Sequence, residues 1–413
     1  MSRFANLRSL APAWPILAGA ALMLSLSMGL RQSLGLFMPP ITRDIGISVA
    51  DFTLAIAVQN LAWGLLQPLA GAWAGRFGMR AIMTAGAALY VAALLVLAVA
   101  QGLPGVTLGA GVMIGAALAC TGSALAMSVS TRAVSVTARS TVLGVVSAAG
   151  SLGAMIAAPL GQGLADALGW RAGVLGFAAL ALFMVPAAWV AGRADKIPLP
   201  SITSGADRGN ARQALRLAAG TPAFVVMSVA YFVCGMQLVF LTTHLPSYLA
   251  VCGMDPMLGA QALGMIGGFN VLGSLFFGWA GGRFNKLVLL GTIYVLRSVV
   301  LAGYFIVPPT PASTLVFAAI MGFLWLGVVP LVAGSVAEMF GVRWQAMIQG
   351  VAFFGHQLGS FTGALGGGLL YDALGSYELA WRIGVGLGLA AGVVQIAVAL
   401  ARPPSAPGRL APA

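Results

Sequence analysis

The sequence predicts an all-α membrane protein with twelve transmembrane helices in two pseudo-symmetric halves of six. Three observations predict this fold class. The 413 residues are 60% hydrophobic and only 7% charged, whereas soluble domains average roughly 45–50% apolar and about 25% charged. Twelve apolar stretches are each long enough to cross a bilayer, which takes about 20 residues per helix. Two short sequence patterns recur in the second half of the chain at nearly one offset. A soluble enzyme and a disordered chain are both excluded.

The twelve stretches follow each other with short polar or Gly/Pro breaks between them. Pro39-Pro40 is predicted to end the first stretch, and Pro308-Pro309 is predicted to end the ninth. The first stretch resembles a signal peptide, but its length and the spans behind it favour an uncleaved helix. The predicted spans cover residues 12–38, 52–75, 80–101, 104–131, 140–164, 170–191, 222–250, 257–281, 286–307, 313–340, 346–371 and 379–401.

The basic residues set the orientation of these spans. With the N-terminus inside, 16 of the 21 Lys and Arg residues lie in cytoplasmic segments, and Arg43, Arg171 and Arg382 lie on the opposite side. Arg31 and Arg297 fall within spans. Such a bias follows the positive-inside rule, so we expect a plasma (inner) membrane protein with both termini cytoplasmic. The net charge of +12 is then explained by topology, and no nucleic-acid partner is expected.

The longest polar interval, 193–221, is predicted to be a cytoplasmic linker between an N-terminal half (1–192) and a C-terminal half (222–413). No interval is long enough for a nucleotide-binding domain, and no phosphate-binding GxxxxGK[ST] loop is present, which argues against ATP-driven transport. Three Cys without CxxC spacing predict neither a disulfide framework nor a zinc site. We expect no cofactor, no metal and no enzymatic activity.

An internal repeat supports the division into halves. The segment from Gly71 to Gly78 (GAWAGRFG) returns at 278–285 (GWAGGRFN), an offset of 207 residues. The segment ADALG at 165–169 returns as YDALG at 371–375, an offset of 206 residues. Parallel repeats around a midplane cavity are a transporter architecture.

These segments resemble the major facilitator superfamily, whose signature loop after the second span reads G-x-x-x-D-R-x-G-x-R. Four positions match it, but Gly75 stands where that family has an acid, and Gly282 repeats this departure in the second half. The resemblance implies that the loop locks the cytoplasmic side, although its charge-relay version does not carry over. The predicted lock residues are Gly71, Arg76, Gly78, Arg80 and Arg283.

Within that superfamily, the segments 29–40, 242–248 and 356–360 resemble bacterial relatives of the monocarboxylate carriers. The resemblance implies that Arg31 stands where those carriers have a substrate-linked Lys. It also places Asn270 and Ser274 where they have an Asp/Arg pair on the eighth helix, so the proton mechanism tied to that pair does not carry over.

Ionisable residues inside spans are costly and mark functional sites by default. Arg31 continues a small and polar stripe with Ser27 and Gly35, and its guanidinium suits bidentate binding of a carboxylate. The alternative is an arginine that extends to the outer interface and pairs with Asp44 or Asp51.

Arg297 lies near the middle of the ninth span and shares a face with Tyr294, Leu301 and Tyr304. The tyrosine rings and hydroxyls are expected to hold the cation. Two roles stay open for Arg297: a contact to substrate, or a structural pin between helices.

The remaining candidates are polar residues of four spans. A histidine can titrate near physiological pH and relay a proton, while a neutral hydrogen-bonded histidine that fixes a helix is the alternative. Polar amides can either contact substrate or join helices. These candidate substrate-binding residues are Gln59, Asn60, Gln237, His244, Tyr248, Asn270 and His356.

Two intramembrane arginines without an acid at mid-depth leave a positive site that an anion would balance. The sequence therefore predicts a secondary active transporter that moves a small organic anion, with a carboxylate favoured, by alternating access. A proton carried by His244 or His356 is an optional second partner, and the lipid bilayer and a monomeric state complete the expectation. An efflux transporter for drug-like neutral or anionic compounds is the alternative, and a non-transporting sensor is a third reading.

Overall fold

The protein is described from a computed structural model, which covers residues 11–199 and 209–401. These two ranges are helical and contain no β-strand. Parts of two predictions lie outside the described residues: the centre of the linker, at 200–208, and five of the charges used for the topology, Arg3, Arg8, Arg208, Arg402 and Arg409.

Twelve long helices, named α1 to α12 in chain order, form the described part of the chain and confirm the predicted fold class. Eleven of them are long and apolar enough to cross a membrane, and α11 is equally long but carries more polar residues and glycines. A short helix, Ala211–Ala219, precedes α7. The bounds are α1 Trp14–Ile45, α2 Val49–Phe77, α3 Met79–Ala98, α4 Leu103–Ala133, α5 Val136–Leu168, α6 Trp170–Lys196, α7 Pro222–Val251, α8 Pro256–Ala280, α9 Lys286–Ile306, α10 Pro311–Phe340, α11 Gln345–Leu374 and α12 Glu378–Ala401.

One predicted break is wrong and another is confirmed. The helical path of α1 passes Pro39-Pro40, because a tight turn at Leu34–Phe37 lets both prolines fall in the first turn of Met38–Ile45. A proline is tolerated there since its missing N–H has no intrahelical partner in any case. Pro308-Pro309 does separate α9 from α10.

The chain forms two compact units. The first comprises the described residues up to 199 together with 342–350, and the second comprises the described residues of 209–341 and 351–401. The first unit thus contains α1 to α6, and the second contains most of α7 to α12. The predicted boundaries at 192 and 222 stay a prediction.

Each unit brings two helices together through glycines. In the first unit a Cβ on Gly153 of α5 would collide with the Ser25 carbonyl of α1, and in the second unit a Cβ on Gly359 of α11 would collide with the Phe232 carbonyl of α7. Small residues let the backbones of membrane helices approach this closely. The first and fifth helices of each unit are therefore packed in the same way, as a duplicated architecture requires.

Candidate functional site

The first unit holds Arg31 of α1 against three side chains of α2. The Nε of Arg31 donates to Gln59 Oε1 at 3.2 Å, and Nη2 donates to Asn60 Oδ1 at 2.5 Å. The guanidinium carbon also lies 5.0 Å from the centre of the Trp63 ring, which is within cation–π range. The structure therefore brings together three of the predicted site residues and adds Trp63, which the sequence analysis missed.

Hydrogen bonds to the backbone fix the orientation of the two amides. Gln59 donates its Nε2 to the Ala110 carbonyl of α4 at 2.6 Å, and Asn60 donates its Nδ2 to the Ile56 carbonyl at 3.1 Å. Each amide therefore turns its oxygen toward the guanidinium, since its nitrogen is already engaged.

Trp63 is fixed in the same manner. Its indole Nε1 donates to Gln67 Oε1 at 3.0 Å, and Gln67 Nε2 donates to the Ala119 carbonyl of α4 at 2.9 Å. The residues Gln59, Trp63 and Gln67 follow at four-residue intervals, so this i, i+4, i+8 polar and aromatic stripe was a sequence signal for Trp63.

No carboxylate of the described chain lies within 4.0 Å of Arg31. The acids proposed as its alternative partners are engaged elsewhere: Asp44 pairs with Arg171, and Asp51 accepts from Ser48 N at 3.0 Å in the capping box of α2. The alternative, in which Arg31 pairs with Asp44 or Asp51, is therefore not found in the described residues. Within the described residues, Arg31 donates one hydrogen from Nε and one from Nη2, and its remaining three N–H groups donate to none of them.

Arg297 of α9 lies in the second unit and is fully buried, at 0% exposure. Its Nη1 donates to Cys234 Sγ of α7 at 3.1 Å, and its Nη2 lies 3.5 Å from the Cys234 carbonyl. Its Nε and the hydroxyl of Tyr294 have no hydrogen-bond partner in the described chain. The expected tyrosine partners are replaced by a cysteine, and the burial favours the structural pin over a contact to substrate.

Gln237 joins three helices of the second unit. Its Nε2 donates to Ser298 Oγ of α9 at 3.1 Å and to the Gly384 carbonyl of α12 at 2.8 Å. Gln237 is only 3% exposed, and its side chain connects α7 to α9 and α12.

His244 is buried against α11. Its Nε2 donates to the Ala364 carbonyl at 2.9 Å, and its ring centre lies 5.0 Å from that of Phe240 and 5.2 Å from that of Tyr377. One turn further along α7, Tyr248 enters an aromatic cluster, with ring centres 4.9 Å from Phe305 and 6.2 Å from Trp381. This environment favours the alternative in which His244 fixes the helix.

His356 of α11 is more open than His244. Its ring stacks on Phe353 at 5.6 Å, the Tyr231 ring is 4.6 Å away, and Ser360 Oγ lies 3.4 Å from its Nδ1. His356 is partly buried beside the Ser360 hydroxyl, whereas His244 is buried against the Ala364 carbonyl. The two histidines therefore differ in their environment, a difference that the sequence does not predict.

Asn270 supports the backbone of α10. Its Oδ1 accepts from the Leu326 amide at 2.8 Å, where α10 is interrupted between Phe323 and Val328. The side chain of Asn270 thus provides a hydrogen-bond acceptor for a backbone N–H that the interrupted helix leaves free. This contact makes Asn270 a positioning residue within the second unit.

Four of the predicted lock residues, Gly71, Arg76, Gly78 and Arg80, lie at the end of α2 and the start of α3 in the first unit, whereas Arg283 follows α8 in the second unit. Gly78 has a φ of +95°, which favours glycine. The carboxylate of Asp195, at the end of α6, accepts from Met79 N at 3.0 Å and Arg80 N at 2.9 Å, and it lies 4.0 Å from Arg132. Asp195 was missed because it lies more than 110 residues from this loop.

Glycines also explain the departure from the signature loop. A Cβ at Gly71 would collide with the backbone of Ala346 and Met347, and a Cβ at Gly75 would lie 2.8 Å from the Trp344 ring. An aspartate at position 75 has no room there.

The arginines of both loops stack on neighbouring rings: Arg76 on Phe77 at 5.2 Å, Arg80 on Trp189 at 4.6 Å and Arg283 on Trp279 at 4.3 Å.

Comparisons with known proteins agree with this architecture. Residues 20–364 match the family model of the Major Facilitator Superfamily. An uncharacterized MFS-type transporter, YcxA of Bacillus subtilis, is 23% identical over 84% of this chain and 86% of its own length. Human monocarboxylate transporter 11 is 26% identical over 95% of this chain and 84% of its own length.

Solved structures show the same fold. The E. coli fucose:proton symporter FucP superposes with a TM-score of 0.70 at 15% identity, over 94% of this chain and 99% of FucP. The human organic anion transporter MFSD10 superposes with a TM-score of 0.67 at 16% identity, over 94% of this chain and 99% of its own. The chain therefore belongs to the major facilitator superfamily, and it is a multi-pass membrane transporter rather than an enzyme.

Proposed function

We propose that this transporter moves a small organic anion, with a carboxylate as the preferred class, by alternating access. The observation that carries the proposal is Arg31, a cation inside a span with two fixed amides and a ring around it and no carboxylate within 4.0 Å in the described chain. A guanidinium stays charged because it cannot lose its proton in a protein. A substrate carboxylate supplies the missing negative charge.

The hydrogen-bond pattern favours an end-on approach of that carboxylate. Gln59 and Asn60 take one hydrogen from Nε and one from Nη2. The hydrogens left for a ligand lie on Nη1 and Nη2, and two parallel N–H···O bonds from this edge form a bidentate pair. The two amides thus orient the guanidinium, and they are positioning residues as well as candidate contacts.

The relatives support the same substrate class. Several are monocarboxylate transporters by name, and one solved structure with this fold is of an organic anion transporter. None of these proteins is more than 28% identical to this chain, and such low identity alone does not establish a shared substrate. The proposed substrate class therefore depends on Arg31, with the relatives as additional support.

We further propose that a proton accompanies the anion and that His356 carries it. Structures of proton symporters share this fold, and His356 is less buried than His244, whose Nε2 is committed to the Ala364 carbonyl. The expected result is that His356→Gln removes the dependence of uptake on an inward proton gradient, while His244→Gln lowers stability and keeps that dependence.

We also propose where the protein is located and how its cytoplasmic side is locked. We propose an inner-membrane location with both termini in the cytoplasm, which the excess of basic residues supports. We also propose that the protein acts as a monomer. For the lock, we propose that close packing of Gly71 on the backbone of Ala346 and Met347, and of Gly75 on the Trp344 ring, replaces the missing acid of the loop. The Asp195 carboxylate holds the start of α3 in place by accepting from the Met79 and Arg80 amides.

Uptake into proteoliposomes tests the function. Purified protein is reconstituted and offered labelled lactate, succinate, citrate and a neutral sugar, with and without a proton gradient. We expect saturable uptake of a carboxylate that Arg31→Gln strongly reduces. The control Arg171→Gln replaces an arginine that is paired with Asp44 and should leave uptake intact. Transport of drug-like neutral compounds without carboxylate uptake contradicts the proposal and supports the efflux alternative.

A further inference from the structure

The second unit contains an apolar cavity of about 190 Å³ between α7, α9, α11 and α12. One wall consists of glycines of α11 and α12, including Gly366 and Gly384, and the opposite wall includes Phe240 and Leu301. A Cβ at either Gly366 or Gly384 would have no neighbour within 4 Å, so the missing side chains of these glycines create the space.

The cavity reaches an exposed apolar stripe of α12. Ile383 lines it and is 42% exposed. Leu379 and Leu387, one turn before and one turn after Ile383, are each 43% exposed. A continuous exposed apolar stripe on a membrane-spanning helix faces acyl chains, because it has no other apolar environment.

A second cavity of about 590 Å³ lies next to the first, toward the loop between α11 and α12, and Trp381 lines both. The second cavity carries charge: Glu378 and Arg382 line it and pair with each other. Their side chains are 67% and 74% exposed. Glu378 precedes Gly384 by six residues, which is about 9 Å along a helix, so one amphiphilic molecule can reach both cavities.

We propose that these two cavities bind one phospholipid whose headgroup carries a primary ammonium, as in phosphatidylethanolamine. One acyl chain occupies the apolar cavity beside Gly366 and Gly384. The phosphate accepts hydrogen bonds from Arg382, and the ammonium donates to Glu378. Trp381 separates the two parts and lies where the chain meets the headgroup.

The charges select this headgroup among common lipids. The pair of Glu378 and Arg382 is neutral overall. It matches a zwitterionic headgroup whose phosphate faces Arg382 and whose ammonium faces Glu378. A choline headgroup has no N–H to donate to Glu378, and a glycerol headgroup leaves a net negative charge beside that carboxylate. By the positive-inside orientation, this end of α12 lies in the outer leaflet, where Tyr and Trp side chains also accumulate at the interface.

Native mass spectrometry of the purified full-length protein tests the site. The protein is offered dioleoyl-phosphatidylethanolamine, dioleoyl-phosphatidylcholine or dioleoyl-phosphatidylglycerol, and the retained lipid is counted. We expect preferential retention of phosphatidylethanolamine. Gly366→Leu or Gly384→Leu fills the cavity and reduces that retention at least about tenfold, since losing the burial of about two methylenes suffices.

Two further variants keep the test decisive. Gly303→Leu adds the same side chain at another open position of the second unit, outside both cavities, and should retain the lipid like the wild type. Glu378→Gln leaves Arg382 as a lone cation and should shift the preference to phosphatidylglycerol. Equal retention of the three lipids by the wild type, or unchanged retention in Gly366→Leu and Gly384→Leu, overturns the proposal.

Discussion

Arg31 and Arg297 are both guanidiniums inside membrane spans, and within the described chain neither lies within 4.0 Å of a carboxylate. Their surroundings differ. Arg31 is partly buried, and two amide oxygens and a ring orient it while three N–H groups donate to none of the described residues. Arg297 is fully buried against Cys234. The comparison teaches that neighbouring acceptors and exposure, rather than depth in the bilayer, separate the arginine that we propose binds the substrate from the arginine that is buried.

The cost of a buried cation gives this difference its physical basis. A charge taken out of water needs a partner or many hydrogen bonds. Arg297 donates to the sulfur and the carbonyl of Cys234, and its Nε has no hydrogen-bond partner among the residues that the structure describes. Arg31 donates to two amide oxygens, and its other three N–H groups donate to none of the described residues. Under the proposed function, an anion therefore gains more at Arg31 than at Arg297.

Removing the charge of Arg31 should have the largest effect. We expect Arg31→Gln to weaken substrate binding by at least about tenfold, because a hydrogen bond to a charged group contributes about 1.5–3 kcal/mol and 1.4 kcal/mol is tenfold. The concentration dependence of uptake in proteoliposomes measures it. Arg31→Lys keeps the positive charge but cannot form the bidentate pair. Its affinity for the substrate should lie between those of the wild type and Arg31→Gln. Wild-type uptake by both variants removes Arg31 from the site.

Loss of one orienting amide should have a smaller effect of the same kind. Gln59→Leu removes the acceptor of the Arg31 Nε and the contact to Ala110. We expect the Michaelis constant to rise by about three- to tenfold, since a typical hydrogen bond contributes about 0.5–1.5 kcal/mol. Gln395→Leu, a buried glutamine of α12 in the second unit, is the control. A Michaelis constant that rises equally in both variants shows a general packing defect instead.

The partner of Arg297 should affect stability rather than transport. Cys234→Ala leaves the buried guanidinium with its carbonyl contact alone, so we expect the melting temperature of the purified protein to fall by a few degrees, as about 1–3 kcal/mol implies. Adding Arg297→Met to this variant should restore the loss, because no charge then stays buried without a partner. Failure of the double variant to recover contradicts the pairing.

Arg297→Met alone should have the smallest effect on transport. Methionine has a similar length without the charge, and replacing buried charged groups with apolar residues is often neutral or stabilising. Uptake of the carboxylate should stay within about twofold of the wild type by this argument. A loss as large as that of Arg31→Gln makes the two arginines equivalent and breaks the comparison.

The sequence predicted those features that depend on local pattern. Apolar stretches predicted the twelve helices, and the scarcity of charged residues in spans identified Arg31. Their amide side chains within a span also placed Gln59 and Asn60 among the candidates, and the structure brings these two residues together with Arg31.

The rest depended on contacts between distant parts of the chain. Cys234 lies 63 residues from Arg297, and Asp195 lies 115 residues from Arg80, so no periodicity connects them. Pro39-Pro40 was misjudged because a preceding tight turn makes both prolines compatible with a helix. Two histidines with similar sequence contexts differ because Ala364 presents its carbonyl to only one of them.

The most direct test of the central claim is ligand-induced stabilisation of purified protein by a series of mono-, di- and tricarboxylates. A ligand that binds the folded state raises the melting temperature by mass action. We predict that at least one carboxylate stabilises the wild type and Arg297→Met but does not stabilise Arg31→Gln. Equal stabilisation of Arg31→Gln by that carboxylate contradicts the role of Arg31 as the anion site.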